Sequence, residues 1–161
     1  MVSDVKAAVE RLRREQVGEI AIVGVELGAN LAINAAIDEP RVVSVVMVSP
    51  GLDYQGVITT DAVKRFGSRS LLVVAAADDA YSARSAGILN DAATGVHEFR
   101  LLETGGRGMK LVGSEPALEG WLAGWVSTHW SAPATAPAAT AVAPTTVGGA
   151  PLETSAPTTG P

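Results

Sequence analysis

The chain has 161 residues, a formal charge of −5 and no cysteine. Without thiols it forms no disulfide, carries no thiolate chemistry and builds no cysteine-based metal site. Its mild acidity gives no footing for nucleic acid or an anionic membrane.

From Ser131 to Pro161 the composition turns abruptly to Ala, Pro, Thr, Gly and Ser, with Glu153 as the single charge. Such a segment buries too little apolar surface to offset its ordering entropy and reads as a disordered tail. The foldable part is residues 1–130, enough for one domain with a core. The start, Met1 to Lys6, is amphipathic rather than an apolar signal core, and no apolar run reaches membrane-spanning length. A cytoplasmic location is the default expectation, although a Thr/Pro/Ala tail also suits a secreted or surface protein.

In chain order, Ser3 reads as the cap of a helix that carries Val5, Ala8, Val9 and Leu12 at helical spacing and ends at Val17-Gly18. A strand is expected over 19–24, then a sharp turn and a helix over 29–37 closed by Asp38-Glu39-Pro40. Val42 to Val48 is almost continuous β-branched sequence, the mark of a strand buried on both faces. Pro50-Gly51 leads into a loop through Tyr54, followed by a short helix over 60–66. A third strand is expected over 71–77, a helix over 82–93 and a fourth strand over 97–102. The last helix is expected from Ser114-Glu115-Pro116, serine as cap and proline in the first turn, burying Leu118, Leu122 and Trp125. Strands alternating with helices predict an α/β fold, three layers deep, around a parallel sheet of about four strands.

The most informative motif is Gly24-Val25-Glu26-Leu27-Gly28. It lies between an apolar strand and a helix, as a Gly-x-nucleophile-x-Gly turn does, with glutamate at the central position. It is not a phosphate or dinucleotide fingerprint, because the lysine and further glycines of those sites are absent. Asp78 and Asp79 follow the third strand and read equally as a solvated turn with one of them capping the next helix. After the fourth strand comes a glycine-rich turn, Glu103-Thr104-Gly105-Gly106-Arg107-Gly108. His97 and His129 read as ordinary surface or edge histidines, and Trp121, Trp125 and Trp130 as helix packing.

On these anchors residues 3–130 resemble the C-terminal half of an α/β-hydrolase, closest to the dienelactone-hydrolase and acyl-esterase branch. The resemblance implies a degenerate triad: Glu26 in the place of the nucleophile, Asp79 as the acid, and Arg107 in the place of the histidine. Gly24 and Gly28 are then the elbow glycines, and the amide of Leu27 is what remains of the oxyanion hole. It also implies that the strands flanking the elbow strand on its other side, with the second oxyanion donor, precede Met1; loss of one such donor costs about 10²–10³ in rate. The expectation is an inactive hydrolase-like domain that acts by binding or assembly. The alternative is an esterase or lactone hydrolase whose site is unconventional or completed in an oligomer. No cofactor or metal is expected. The strand at Glu19–Gly24, apolar on both faces through Ile20, Ala21, Ile22 and Val23, is expected to pair with a second copy or a partner chain. For the side chains at the site the alternative reading is inert: Arg107 paired to one or both carboxylates, Glu26 and Asp79.

Overall fold

The computed structural model describes residues 1–129; Trp130 and the Ala/Pro/Thr-rich tail over 131–161 lie outside the described residues. The elements are α1 (Val2–Arg14), β1 (Ile20–Val25), α2 (Leu27–Ala36), β2 (Val42–Val48), β3 (Asp53–Tyr54), β4 (Val57–Ile58), α3 (Thr60–Phe66), β5 (Ser70–Ala76), α4 (Ala80–Ala92), β6 (His97–Leu102), α5 (Met109–Ser114) and α6 (Leu118–Thr128). As the alternation of elements predicts, four strands form a parallel sheet, in the order β1-β2-β5-β6.

β2 and β5 are central, and every residue of both is buried. Their Val- and Leu-rich sequences suit strands covered on both faces. On one face, Val45, Met47, Leu71 and Val73 pack with Ile33 of α2, Phe66 of α3 and Leu89 of α4. On the other, Val46, Val48, Leu72 and Val74 meet Leu111 of α5 and Leu118, Leu122 and Trp125 of α6. The result is three layers, helix on sheet on helix. Buried Ser44 and Ser70 stand opposite each other in the β2–β5 register, and neither hydroxyl has a partner among the described residues.

Several boundaries differ from the sequence reading. α1 is preceded by Met1 without a side-chain cap, so Ser3 does not cap it, and it ends at Arg14 before Gly18 because Gln16 takes a left-handed turn at φ 61°. The loop after Gly51 holds a small hairpin, β3 against β4, whose turn residues Gln55 and Gly56 both have positive φ (53° and 80°). The last helix starts at Leu118. Ser114 is instead the final residue of α5, and its hydroxyl donates to the carbonyls of Leu111 and Gly105. Pro116 explains the break, since it excludes helical backbone at the preceding residue; Glu115 is extended at φ −117°, ψ 94°.

Arg69, just ahead of β5, ties the far end of the domain together. Its Nη1 donates to the carbonyls of Ala36 (2.8 Å), Glu39 (2.9 Å) and Val42 (3.1 Å), and its Nε to Phe66 (2.9 Å). These acceptors include the last carbonyls of α2 and α3, which have no partner inside their own helices. Burial presses the guanidinium below its ordinary pKa.

Candidate functional site

The C-terminal ends of the four strands bring together Glu26, Ser49, Asp78, Asp79 and the turn around Arg107. Glu26 sits between β1 and α2 at φ 52°, ψ −120°, a region that costs a non-glycine residue of order 1–3 kcal/mol. Its N–H donates to Val48 (2.8 Å), and its carbonyl accepts from Ala29 (3.0 Å) and Asn30 (3.3 Å). This is a tight strand-to-helix elbow with its side chain at the apex. Gly24 is required for it: a Cβ there would lie 2.6 Å from Ala29 Cα and overlap the Gly28 carbonyl oxygen. Gly28 meets no such limit, since a Cβ would have open space. Leu27 opens α2, where its N–H has no intrahelical acceptor.

Arg107 is bound by Asp79. Its Nε donates to Oδ2 at 2.9 Å and its Nη2 to Oδ1 at 3.4 Å, while Glu26 Oε1 stands 3.9 Å from Nε. The Asp79 side chain is only 12% exposed, against 43% for Arg107 and 44% for Glu26. Asp79 also caps α4 by accepting from the Ser82 N–H. Burial raises the carboxyl's pKa, but the hydrogen bonds from Arg107 and Ser82 outweigh it and hold Asp79 below the ordinary aspartate value. The same hydrogen bond from Arg107 raises the guanidinium above its ordinary pKa. Both groups are therefore charged at neutral pH, and the ion pair is closed.

Residues not singled out for the site by the sequence frame it. Tyr54 and Tyr81 stand edge to face with centroids 5.6 Å apart, and the Arg107 guanidinium lies 5.7 and 5.9 Å from their rings. Ser49 is buried, at φ 50°, and its Oγ accepts the Gly108 N–H at 2.8 Å. Asp78 does not join the ion pair; its carboxylate accepts from the Gly105 (3.2 Å) and Gly106 (2.9 Å) amides and fixes the glycine-rich turn. Gly108, at φ 62°, lets the turn close over Glu26; a Cβ there would come within 2.7 Å of Glu26 Cγ. No pattern along the chain reveals the positive φ of Ser49, the turn-clamping role of Asp78 or the placing of Tyr54 and Tyr81.

Neither histidine is at this cluster by sequence or by contact. His97 begins β6, at the opposite end of the sheet, and its Nδ1 is 2.7 Å from the Gly95 carbonyl oxygen. His129 follows α6 and stacks on Trp125 with centroids 4.3 Å apart. Among the described residues no group of three or more His, Asp or Glu is placed to hold a metal ion, and no helix is long and apolar enough to cross a membrane.

This fold has close counterparts in solved structures. An esterase domain from Rhodothermus marinus superposes with a TM-score of 0.70 at 18% identity, covering 81% of this chain and 70% of that one. A dienelactone hydrolase from Anabaena variabilis gives 0.60 at 14% identity, over 70% of this chain and 50% of that one. A Pyrococcus furiosus esterase gives 0.64 at 12% identity, over 81% and 62%. The chain therefore has an α/β-hydrolase-like fold and spans only part of the length of these neighbours. No protein-family model matches the sequence, and no curated protein matches it.

Proposed function

We infer that this chain is an α/β-hydrolase-like domain that does not hydrolyse esters and works as a binding or assembly module. The observation that carries this reading is Arg107, closed onto Asp79 where a hydrolase needs a base. Hydrolysis through an elbow nucleophile requires a group that takes a proton from the attacking oxygen and returns it to the leaving group. Arginine stays protonated and cannot exchange that proton. Direct attack by the Glu26 carboxylate on an ester carbonyl would give a mixed anhydride and expel an alkoxide that needs a proton, and water must then cleave the anhydride with help from a base. The chain has two histidines, and neither contacts Glu26 or Arg107.

A second reading has one observation in its favour. The strained elbow persists with a half-exposed carboxylate at its apex, and the solved neighbours are esterases and a dienelactone hydrolase. On that reading the chain is an ester or lactone hydrolase with Glu26 as nucleophile. The two are separated by assaying the purified chain and Glu26→Ala against a series of p-nitrophenyl esters and a fluorophosphonate probe. We expect no labelling and the same background rate for both proteins. Turnover that disappears in Glu26→Ala would overturn the non-catalytic reading.

A further inference from the structure

The two edges of the sheet are built differently. β6 carries Glu98 and Arg100 along its length, charges of the kind that keep an edge from pairing with another chain. β1, Ile20-Ala-Ile-Val-Gly-Val25, has no charged residue at all. It is also flanked by an apolar groove of about 370 Å³, lined by Val23, Val25, Val48, Met109, Leu122 and Val126. Val23 is 52% exposed and Met109 66%. The sequence reading places the bare edge at Glu19–Gly24; the strand itself runs one residue further, to Val25.

The backbone of β1 has a parity that specifies its partner. The N–H groups of Ile20 and Glu26 donate to Arg41 (2.7 Å) and Val48 (2.8 Å). Even-numbered residues thus turn their polar groups to β2. By the alternation of an extended strand, Ala21, Val23 and Val25 turn theirs outward. These three positions are symmetric about Val23. A second copy running antiparallel, with a two-fold axis normal to the sheet through Val23, pairs Val23 with Val23 and Ala21 with Val25. All three outward N–H groups and all three outward carbonyls are then satisfied in each copy. The same operation keeps the two groove-bearing faces on one side, so that the exposed Val23 side chains and the grooves adjoin. Charge agrees in part: a chain of net charge −5 repels its copies over most of its surface, whereas β1 itself carries no charge, with Glu19 and Glu26 at its two ends and Glu119 on the groove's rim.

We propose that the chain forms a symmetric dimer through β1, in the register Val23 to Val23, with its apolar grooves merged across the two-fold axis. The sheet then has eight strands, and the two outer edges are the guarded β6 strands. The proposal does not rest on the non-catalytic reading, since the antiparallel join leaves the elbows at opposite ends of the interface, about 20 Å apart. Neither site completes the other.

The test uses the full 161-residue chain and the absence of native cysteine. Sedimentation velocity at micromolar concentration should show a species of twice the chain mass. Val23→Pro removes an outward N–H and no hydrogen bond to β2, so it should give a monomer with unchanged circular dichroism. Independently, Val23→Cys should be captured as a dimer by a short bis-maleimide, whereas Cys placed at exposed Ile58 should not. Ala21→Cys and Val25→Cys should cross-link when mixed more than either does alone. A monomer throughout, whether the edge is bare or covered by residues 130–161 of the same chain, would overturn the proposal. So would a dimer in which Val23→Cys is not captured, because a different face would then be responsible. The ester assay reads the other proposal separately.

Discussion

Arg107 and Asp79 define the chemistry of the site at the scale of single residues. A fixed cation is held there by its counter-ion, and the pair also caps a helix through Asp79. The pair has a consequence in acid. A carboxyl held below its unfolded pKa adds stability that is present above the unfolded value and is lost as pH falls through the folded one. For Asp79 that window lies below about pH 4. In Arg107→Gln the hydrogen bond and the charge are gone while the burial remains, and burial raises the carboxyl's pKa. The acid-unfolding midpoint, followed by circular dichroism, should therefore move to higher pH in the variant. At neutral pH the loss should be modest, about 1 kcal/mol, because the half-exposed guanidinium is screened by solvent.

At the scale of elements, the elbow depends on one of its two glycines. Gly24 allows α2 to lie against β1, and a methyl group there would press on backbone atoms that cannot swing away. Gly24→Ala should cost roughly 2–3 kcal/mol in urea unfolding. Gly28→Ala, in the first turn of α2 with space around it, should be neutral or add up to about 1 kcal/mol. Equal effects at the two positions would contradict this account. The same contrast shows what could be read along the chain. β1, β2, β5 and α2 are legible because long apolar runs and turn residues agree. The β3–β4 hairpin is not, since two-residue strands leave no period and one of its left-handed positions is Gln55. α5 was hidden because Ser114 imitates a cap, although its hydroxyl serves the preceding helix and turn. At the site, Glu26, Asp79 and Arg107 are legible only through the resemblance to α/β-hydrolases, which marks the positions after each strand. The supports of Tyr54, Tyr81 and Ser49 arise from contacts across 28 to 59 residues, which no local pattern encodes.

At the scale of the whole molecule, folding and assembly should be linked. A dimer that unfolds to separate chains is stabilised by mass action. The urea midpoint should rise with protein concentration, by the equivalent of about 1.4 kcal/mol per tenfold increase. Val23→Pro should abolish that dependence. A midpoint independent of concentration in the unaltered chain would mean that β1 adds nothing to its stability. On this proposal a strand too hydrophobic to stand at an edge gains a neighbour on its open side.

The backbone at Glu26 has one more consequence. In a working hydrolase the cost of holding a side chain at φ 52°, ψ −120° is offset by the reaction it permits. Here the conformation holds a half-exposed carboxylate 3.9 Å from Arg107. Glycine tolerates that region freely, so position 26 is a place where erasing the side chain should make the protein more stable rather than less. The strain at this elbow is thus open to measurement: Glu26→Gly should raise the urea midpoint, by the equivalent of at most about 1–3 kcal/mol.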